Sequence, residues 1–170
     1  SPFFTDGTSD RGEGLEALAE DGEPSILNSS LNGVAGISDY GVFNTPVGAS
    51  NPGPLLPGQS YEFTVEAEEG DYWSFATMLV HTNDLFYAFD DNGIAFFDSN
   101  GNPISGDVTA DVSLWDAGTE INEYPGAVNN QPARGGGNSG PAEGGVVQVV
   151  NDNFTYPSVN NSIRVTISAQ

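Results

Sequence analysis

Between Asp71 and Glu123 the chain carries its densest apolar sequence: DYWSFATMLVHTNDLFYAFDDNGIAFFDSNGNP and, after a short connector, LWDAGTEINE. The apolar runs are short and bounded by turn residues, the signature of core β-strands rather than of helices. Both tryptophans, Trp73 and Trp115, lie within this stretch. Acidic residues stand where the runs end, above all Asp84 after MLVHTN and Asp116 after VSLW. Core strands that end in carboxylates deliver them to one rim. The stretch therefore predicts an all-β domain with carboxylates at one rim, for which a calcium-supported β-sandwich for adhesion or binding, without catalysis, is the working hypothesis.

The flanking sequence adds strands and little helix. Glu13 to Gly22, EGLEALAEDG, is the one good helical stretch: Leu15, Leu18 and Ala19 share a face and Gly22 is a plausible stop. Such a helix is marginal alone and must pack on something larger. SILNSSLNGV could add a further helical turn. Residues 36–59 are rich in Gly, Pro, Asn and Ser and read as a long loop, with a short edge strand at Gly41–Asn44. Tyr61, Phe63 and Val65 then alternate with Glu62, Thr64 and Glu66, the period of a half-buried strand, which Glu69-Gly70-Asp71 turns back onto YWSFATMLV. LFYAFD and GIAFFD flank DDNG, a hairpin signal. Asp98 to Pro103 is another turn, Val108–Trp115 a further strand, and GVVQVV and NSIRVTIS close the chain. Between them, Glu120 to Gly145 has almost no periodicity and is too long for a mere connector, so it reads as functional, metal-ordered or mobile. The total is seven to eight strands and one short N-terminal helix in a single domain over residues 1–170.

Charge narrows the function. Lys+Arg is 3 against Asp+Glu 24, a formal net charge of −21, with Arg11, Arg134 and Arg164 the only cationic side chains. This charge strongly disfavours binding to nucleic-acid phosphates or to anionic lipid. Self-repulsion at this charge is relieved by salt, whose screening length is roughly 8 Å at physiological ionic strength, or by bound divalent cations. A marine or saline extracellular setting suits both. Zero cysteines leave no disulfide and no thiolate metal site, which is compatible with bacterial secretion. No apolar run approaches the roughly 20 residues of a membrane span. Ser1 in place of methionine reads as a processed or trimmed start.

Calcium takes oxygen ligands, mostly carboxylates and carbonyls, and Asp84 and Asp116 could share one end of a sandwich. The alternative is a pair of ordinary strand-end turn aspartates. Asp90-Asp91-Asn92-Gly93 and Asp98-Ser99-Asn100-Gly101-Asn102 have oxygen-rich spacing too, but hairpin turns explain them better, since Pro103 stands where an EF-hand start needs glycine. His81 is the only histidine and has no nucleophile elbow beside it, so neither a serine hydrolase nor a zinc enzyme is supplied. Twenty-four acids make some carboxylate pair inevitable, which is no sign of glycoside hydrolysis. Tyr72, Trp73, Phe86, Tyr87, Trp115 and Tyr124 are candidates for a sugar-stacking surface. Most of them lie in apolar runs and belong to a core, and Tyr124 is the one expected to be exposed.

At NDLFYAFDDNGIAFFDSNGNPISGDVT and LWDAGTEIN the chain resembles the spondin N-terminal domain family. SPFFTDG with EGLEALAEDG, then GPAEGG and SIRVTI, extend the resemblance over nearly the whole chain. The resemblance implies a C2-like antiparallel β-sandwich that binds one calcium ion at a rim and serves adhesion to surfaces, matrix or carbohydrate. The ligands it implies are Asp84 in NDLF, Asp116 in DAGT and, through a gapped alignment, Glu62, with backbone carbonyls near Leu114. Two departures bear on function. The strand that family members carry before the position of Ser1 is not in this sequence: either the chain is trimmed, or an open sheet edge receives a strand from another subunit. The cysteines of animal members are also missing, which points to a bacterial protein. The expected partners are a second copy of the chain, up to a filament, and an extracellular glycan or protein. A carbohydrate-binding module associated with polysaccharide use is the alternative.

Overall fold

The structure, a computed structural model, describes residues 1–127, 130–132 and 140–170. Along the chain run α1 (Leu15–Asp21), α2 (Ser25–Ser30), β1 (Tyr72–Trp73), β2 (Ala76–Met78), β3 (Leu85–Ala88), β4 (Ile94–Ala95), β5 (Gly106–Asp107), a 3₁₀ turn (Thr109–Asp111), β6 (Ser113–Asp116), β7 (Gln148–Val149), α3 (Val159–Ser162) and β8 (Thr166–Ile167). Strands in antiparallel sheets dominate and the helices are few and short, in keeping with an all-β fold. Among the described residues no helix is long and apolar enough to cross a membrane.

The centre is the pair β3 and β6. All four residues of β3 are buried, as are Leu114, Trp115 and Asp116 of β6. They pair antiparallel with Leu85 opposite Asp116 and Phe86 opposite Trp115. β2 and β7 complete a four-stranded sheet in the order β2-β3-β6-β7. Successive side chains of a strand leave on opposite faces, so an all-apolar strand implies cover on both sides. Phe86, Ala88, Trp115 and Ala117 join Phe4, Leu15, Ala19 and Val147 on one face. Leu85, Tyr87, Phe89, Val112 and Leu114 join Val108 and Val165 on the other.

The first face is covered by α1 and by Phe4, whose ring lies 4.7 Å from Trp115 and 5.5 Å from Phe86. α1 buries Leu15, Leu18 and Ala19 as its periodicity predicts, and ends at Gly22, where φ is 69° and the N–H donates to the Leu18 carbonyl at 3.0 Å. The second face meets two small sheets, β1 with β4 and β5 with β8, which bring Trp73, Ile94 and Ile167 against it.

Several expected pairings differ. The Tyr61–Glu66 alternation forms no strand: Glu62, Phe63 and Thr64 are exposed and Tyr61 and Val65 only half-buried. No described strand takes up its backbone, and Phe63 instead stacks on Phe43 at 4.1 Å. Gly41–Asn44 is likewise not a strand. YWSFATMLV breaks at Ser74-Phe75 into β1 and β2, which belong to different sheets. DDNG makes a turn, with the Gly93 N–H on the Asp90 carbonyl at 3.1 Å, but not a hairpin. β3 has both edges filled by β2 and β6, so β4 runs on to β1. Gly93 permits this with a φ of 72°, since a Cβ there would lie 2.5 Å from the Trp73 carbonyl oxygen. Helix also forms at α2, where SILNSSLNGV offered a further turn, and at α3, which was not expected.

Candidate metal centre

Asp84 directly precedes β3 and Asp116 closes β6, so the antiparallel register brings both to one end of the central sheet. The ladder continues past them: the Ala117 N–H donates to the Asp84 carbonyl at 3.2 Å. Side-chain oxygens of Asp84, Asp116 and Glu143 lie within 4.8 Å of one another. Asp84 is fully buried, Asp116 is 5% exposed, and Glu143 reaches in from the surface.

The loop after β6 shapes the rest. Asp84 Oδ2 accepts the Thr119 N–H at 2.9 Å, the Thr119 hydroxyl at 3.2 Å and the Glu120 N–H at 3.0 Å. Asp116 Oδ1 accepts the Gly118 N–H at 2.8 Å and its Oδ2 the Asn122 amide at 2.7 Å. Glu143 is held by its own N–H on the Thr119 carbonyl at 2.9 Å, and the Gly145 N–H reaches the Gly118 carbonyl at 2.8 Å. Asp84 Oδ1, in contrast, is buried with no hydrogen-bond partner.

Burial pushes the Asp84 carboxyl up to about 7, against the Glu120 and Thr119 hydrogen bonds and with the Asp116 charge adding to the rise. Burial likewise raises Asp116, with Asp152 adding to it, and raises Glu143, with Asp116 adding to it. Carboxylates this close resist shared ionisation unless a cation joins them. Asp152 stands beside the group and accepts the Tyr156 hydroxyl at 2.7 Å. The Tyr156 hydroxyl is itself raised by burial and then by Asp152, Asp116 and Asp84.

Ligands made only of oxygen suit hard divalent cations such as Mg²⁺, Mn²⁺ and Ca²⁺ best. A buried carboxylate oxygen with no donor is a place such an ion would fill, so the group could hold a metal ion. Of the expected ligands, Asp84 and Asp116 come together and Glu62 does not. Glu62 is exposed and accepts the Ser60 hydroxyl at 3.2 Å, on a segment that is not a strand. The third carboxylate is Glu143, in GPAEGG. It belongs to the 120–145 loop, which reads as functional, metal-ordered or mobile, and nothing in the sequence marks Glu143 itself as a ligand.

The other candidates resolve simply. Asp98 Oδ1 accepts the Asn100 and Asn102 N–H groups at 2.8 and 2.9 Å, the closure of a turn. His81 is exposed, and its carbonyl takes the Gly126 N–H at 2.8 Å. Trp115, Phe86 and Tyr87 are core and Trp73 is half-buried; Tyr124 is 59% exposed with its ring 6.1 Å from Phe154, and Tyr72, against expectation, is more exposed still at 63%. Arg134 lies outside the described residues. Comparisons with protein-family models, with curated proteins and with solved structures found no match to this chain.

Proposed function

We propose that the chain is a secreted calcium-binding module of adhesion or extracellular matrix, a C2-like β-sandwich of the spondin N-terminal type without catalytic activity. The observation that carries this reading is the partnerless Asp84 Oδ1, buried within a group that also holds Asp116 and Glu143. Calcium would be held by these three carboxylates and would tie the rim of the central sheet to the loop bearing Glu143. The net charge of −21 favours divalent cations and disfavours nucleic acid. β2, at the edge of the four-stranded sheet, suits strand exchange with a second copy, and a filament is the extended form of that contact.

Differential scanning calorimetry with calcium and with chelator tests the metal claim. At a hundredfold excess over Kd the ion stabilises by about 2.7 kcal/mol. For a domain of this size that is a rise in Tm of roughly 5–10 °C. Glu143→Gln should remove most of the rise, and Glu62→Gln should leave it intact. Equal melting temperatures in calcium and chelator would sink the reading. A carbohydrate-binding role is the second reading, favoured by the exposed ring of Tyr124. Polysaccharide retention lost in Tyr124→Ala, with calcium binding preserved, would select it.

A further inference from the structure

Two stretches of backbone in this fold lack strand partners. One is the outer edge of β2. In its ladder with β3, Thr77 stands opposite Tyr87, and the Leu79 N–H reaches the Leu85 carbonyl at 2.8 Å. Backbone groups alternate in direction along an antiparallel strand, so those of Ala76 and Met78 point away from β3. No described residue bonds to them there. The far end of the same sheet is partly covered, since Val147 exchanges hydrogen bonds with Gly7 and Thr8, both at 2.8 Å. The other stretch is Tyr61–Glu66. Its Tyr, Phe and Val alternate with Glu, Thr and Glu, yet no backbone N–H or carbonyl in it has a partner among the described residues.

We propose that Tyr61–Glu66 of one copy docks antiparallel on β2 of a second copy, and reciprocally, so that each four-stranded sheet gains an edge strand. This rests on the reading of β2 as an edge open to strand exchange, and it names the strand that fills it. A register with Phe63 opposite Met78 and Val65 opposite Ala76 meets both needs. Those residues then exchange backbone bonds with the outward-pointing groups of β2, and Thr64 faces Thr77, a pair that strands favour. Phe63 and Val65 also fall on the face where Ala76 packs against Leu15 and Ala19 of α1. Within its own chain the segment is tied elsewhere. The Ser60 carbonyl takes the Val47 N–H at 2.9 Å, the Tyr61 hydroxyl donates to the Gly53 carbonyl at 2.5 Å, and Phe63 stacks on Phe43. Downstream, the Glu68–Asp71 turn leads into β1, which β4 holds in another sheet. These contacts leave the backbone of Tyr61–Glu66 free and present it to a neighbour. One donor and one acceptor per chain are what a twofold contact requires. Two chains of −21 repel, so the contact strengthens with salt.

The chain has no cysteine, so disulfide trapping reports the pairing directly. Thr64→Cys and Thr77→Cys, made in separate chains and mixed in 1 M sodium chloride, where the Debye length is roughly 3 Å, should cross-link into a covalent dimer under mild oxidation. Asn51→Cys, also exposed, should not cross-link with Thr77→Cys. Sedimentation equilibrium of the native chain in the same salt should show monomer and dimer. Val65→Pro should abolish the dimer by removing the N–H that meets the Ala76 carbonyl. That N–H has no partner within the chain, so Val65→Pro should keep the native circular dichroism. A native chain that stays monomeric, while Thr64→Cys with Thr77→Cys closes a disulfide inside one molecule, would make the segment an edge strand of its own sheet and overturn the proposal. A native monomer with no cross-link, or a dimer that persists in Val65→Pro, would overturn it as well. The calcium dependence of Tm on the same samples tests the metal centre alone, and either result there leaves the strand test standing.

Discussion

Asp84 meets opposite environments at its two oxygens. Three donors stabilise the charge at Oδ2, and nothing stabilises it at Oδ1. Desolvation outweighs the hydrogen bonds, and the folded carboxyl rises from 3.8 to about 7. The sign of the pH effect follows. Between about pH 4 and pH 7 the folded protein holds a proton that the unfolded chain has already released, so stability falls as pH rises through that window. The contribution is complete below the unfolded value and lost above the folded one, the reverse of a salt-bridged aspartate. Glu20 acts in the same direction. In chelator, urea midpoints should therefore decline from pH 4 to pH 7, and Asp84→Asn should flatten that decline. Added calcium, which competes with the proton, should restore stability at pH 7.5 and do little at pH 5. A chelated protein that gains stability across the window would refute the assignment. Asp84 and Asp116 were legible in the sequence because apolar runs end on them. Glu143 was not, because its place depends on backbone contacts with Thr119 across a loop that has no periodicity to read.

The loop from Ala117 to Glu120 couples strand to site, and Gly118 makes it possible. Its φ is 68°, and a Cβ there would lie 2.6 Å from both the nitrogen and the oxygen of Val146. Backbone atoms cannot yield as a side-chain tip can. Gly118→Ala should cost at least about 1 kcal/mol in stability through the left-handed conformation alone. It should also push apart the segments that hold Glu143 beside Asp116, and so weaken calcium by more than strain at a glycine with open space around it would. Isothermal titration of Gly118→Ala beside Gly144→Ala separates the effects. Gly144 has a similar φ of 69° but open space at its Cβ, so it should lose stability without comparable loss of affinity. Equal affinity losses would show that backbone strain, not the close approach to Val146, controls the site. The same distinction between local and distant contacts decides what the sequence revealed of the elements. Leu85–Ala88 and Ser113–Asp116 were visible as buried strands, and Leu15–Asp21 as an amphipathic helix. Their partners were not. The local hairpin signal at DDNG was overridden because β2 and β6 already occupy both edges of β3, and the alternation at Tyr61–Glu66 predicted a strand that finds no described partner.

Over the whole molecule, charge is the term that calcium and salt share. With 24 acids and 3 arginines, ion pairing does little to relieve repulsion, and the one described pair, Arg164 with Asp107, is largely exposed. Exposed pairs of this kind contribute little to stability. Two kinds of repulsion remain. Surface carboxylates repel through water and are screened by any salt, with a Debye length of roughly 3 Å at 1 M. The buried carboxylates of Asp84 and Asp116, which Glu143 joins from the surface, are reached far less by mobile ions and need a coordinated one. Sodium chloride and calcium should therefore act differently. Raising sodium chloride from 0.1 to 1 M in chelator should lift Tm in a way that Glu143→Gln and the native chain share. Millimolar calcium should lift the native chain further at either salt concentration and leave Glu143→Gln close to its chelated value. If 1 M sodium chloride instead abolished the calcium increment, the ion would be acting as diffuse counter-charge on an acidic surface. Persistence of the increment in high salt would place it at the rim, where the central strands end.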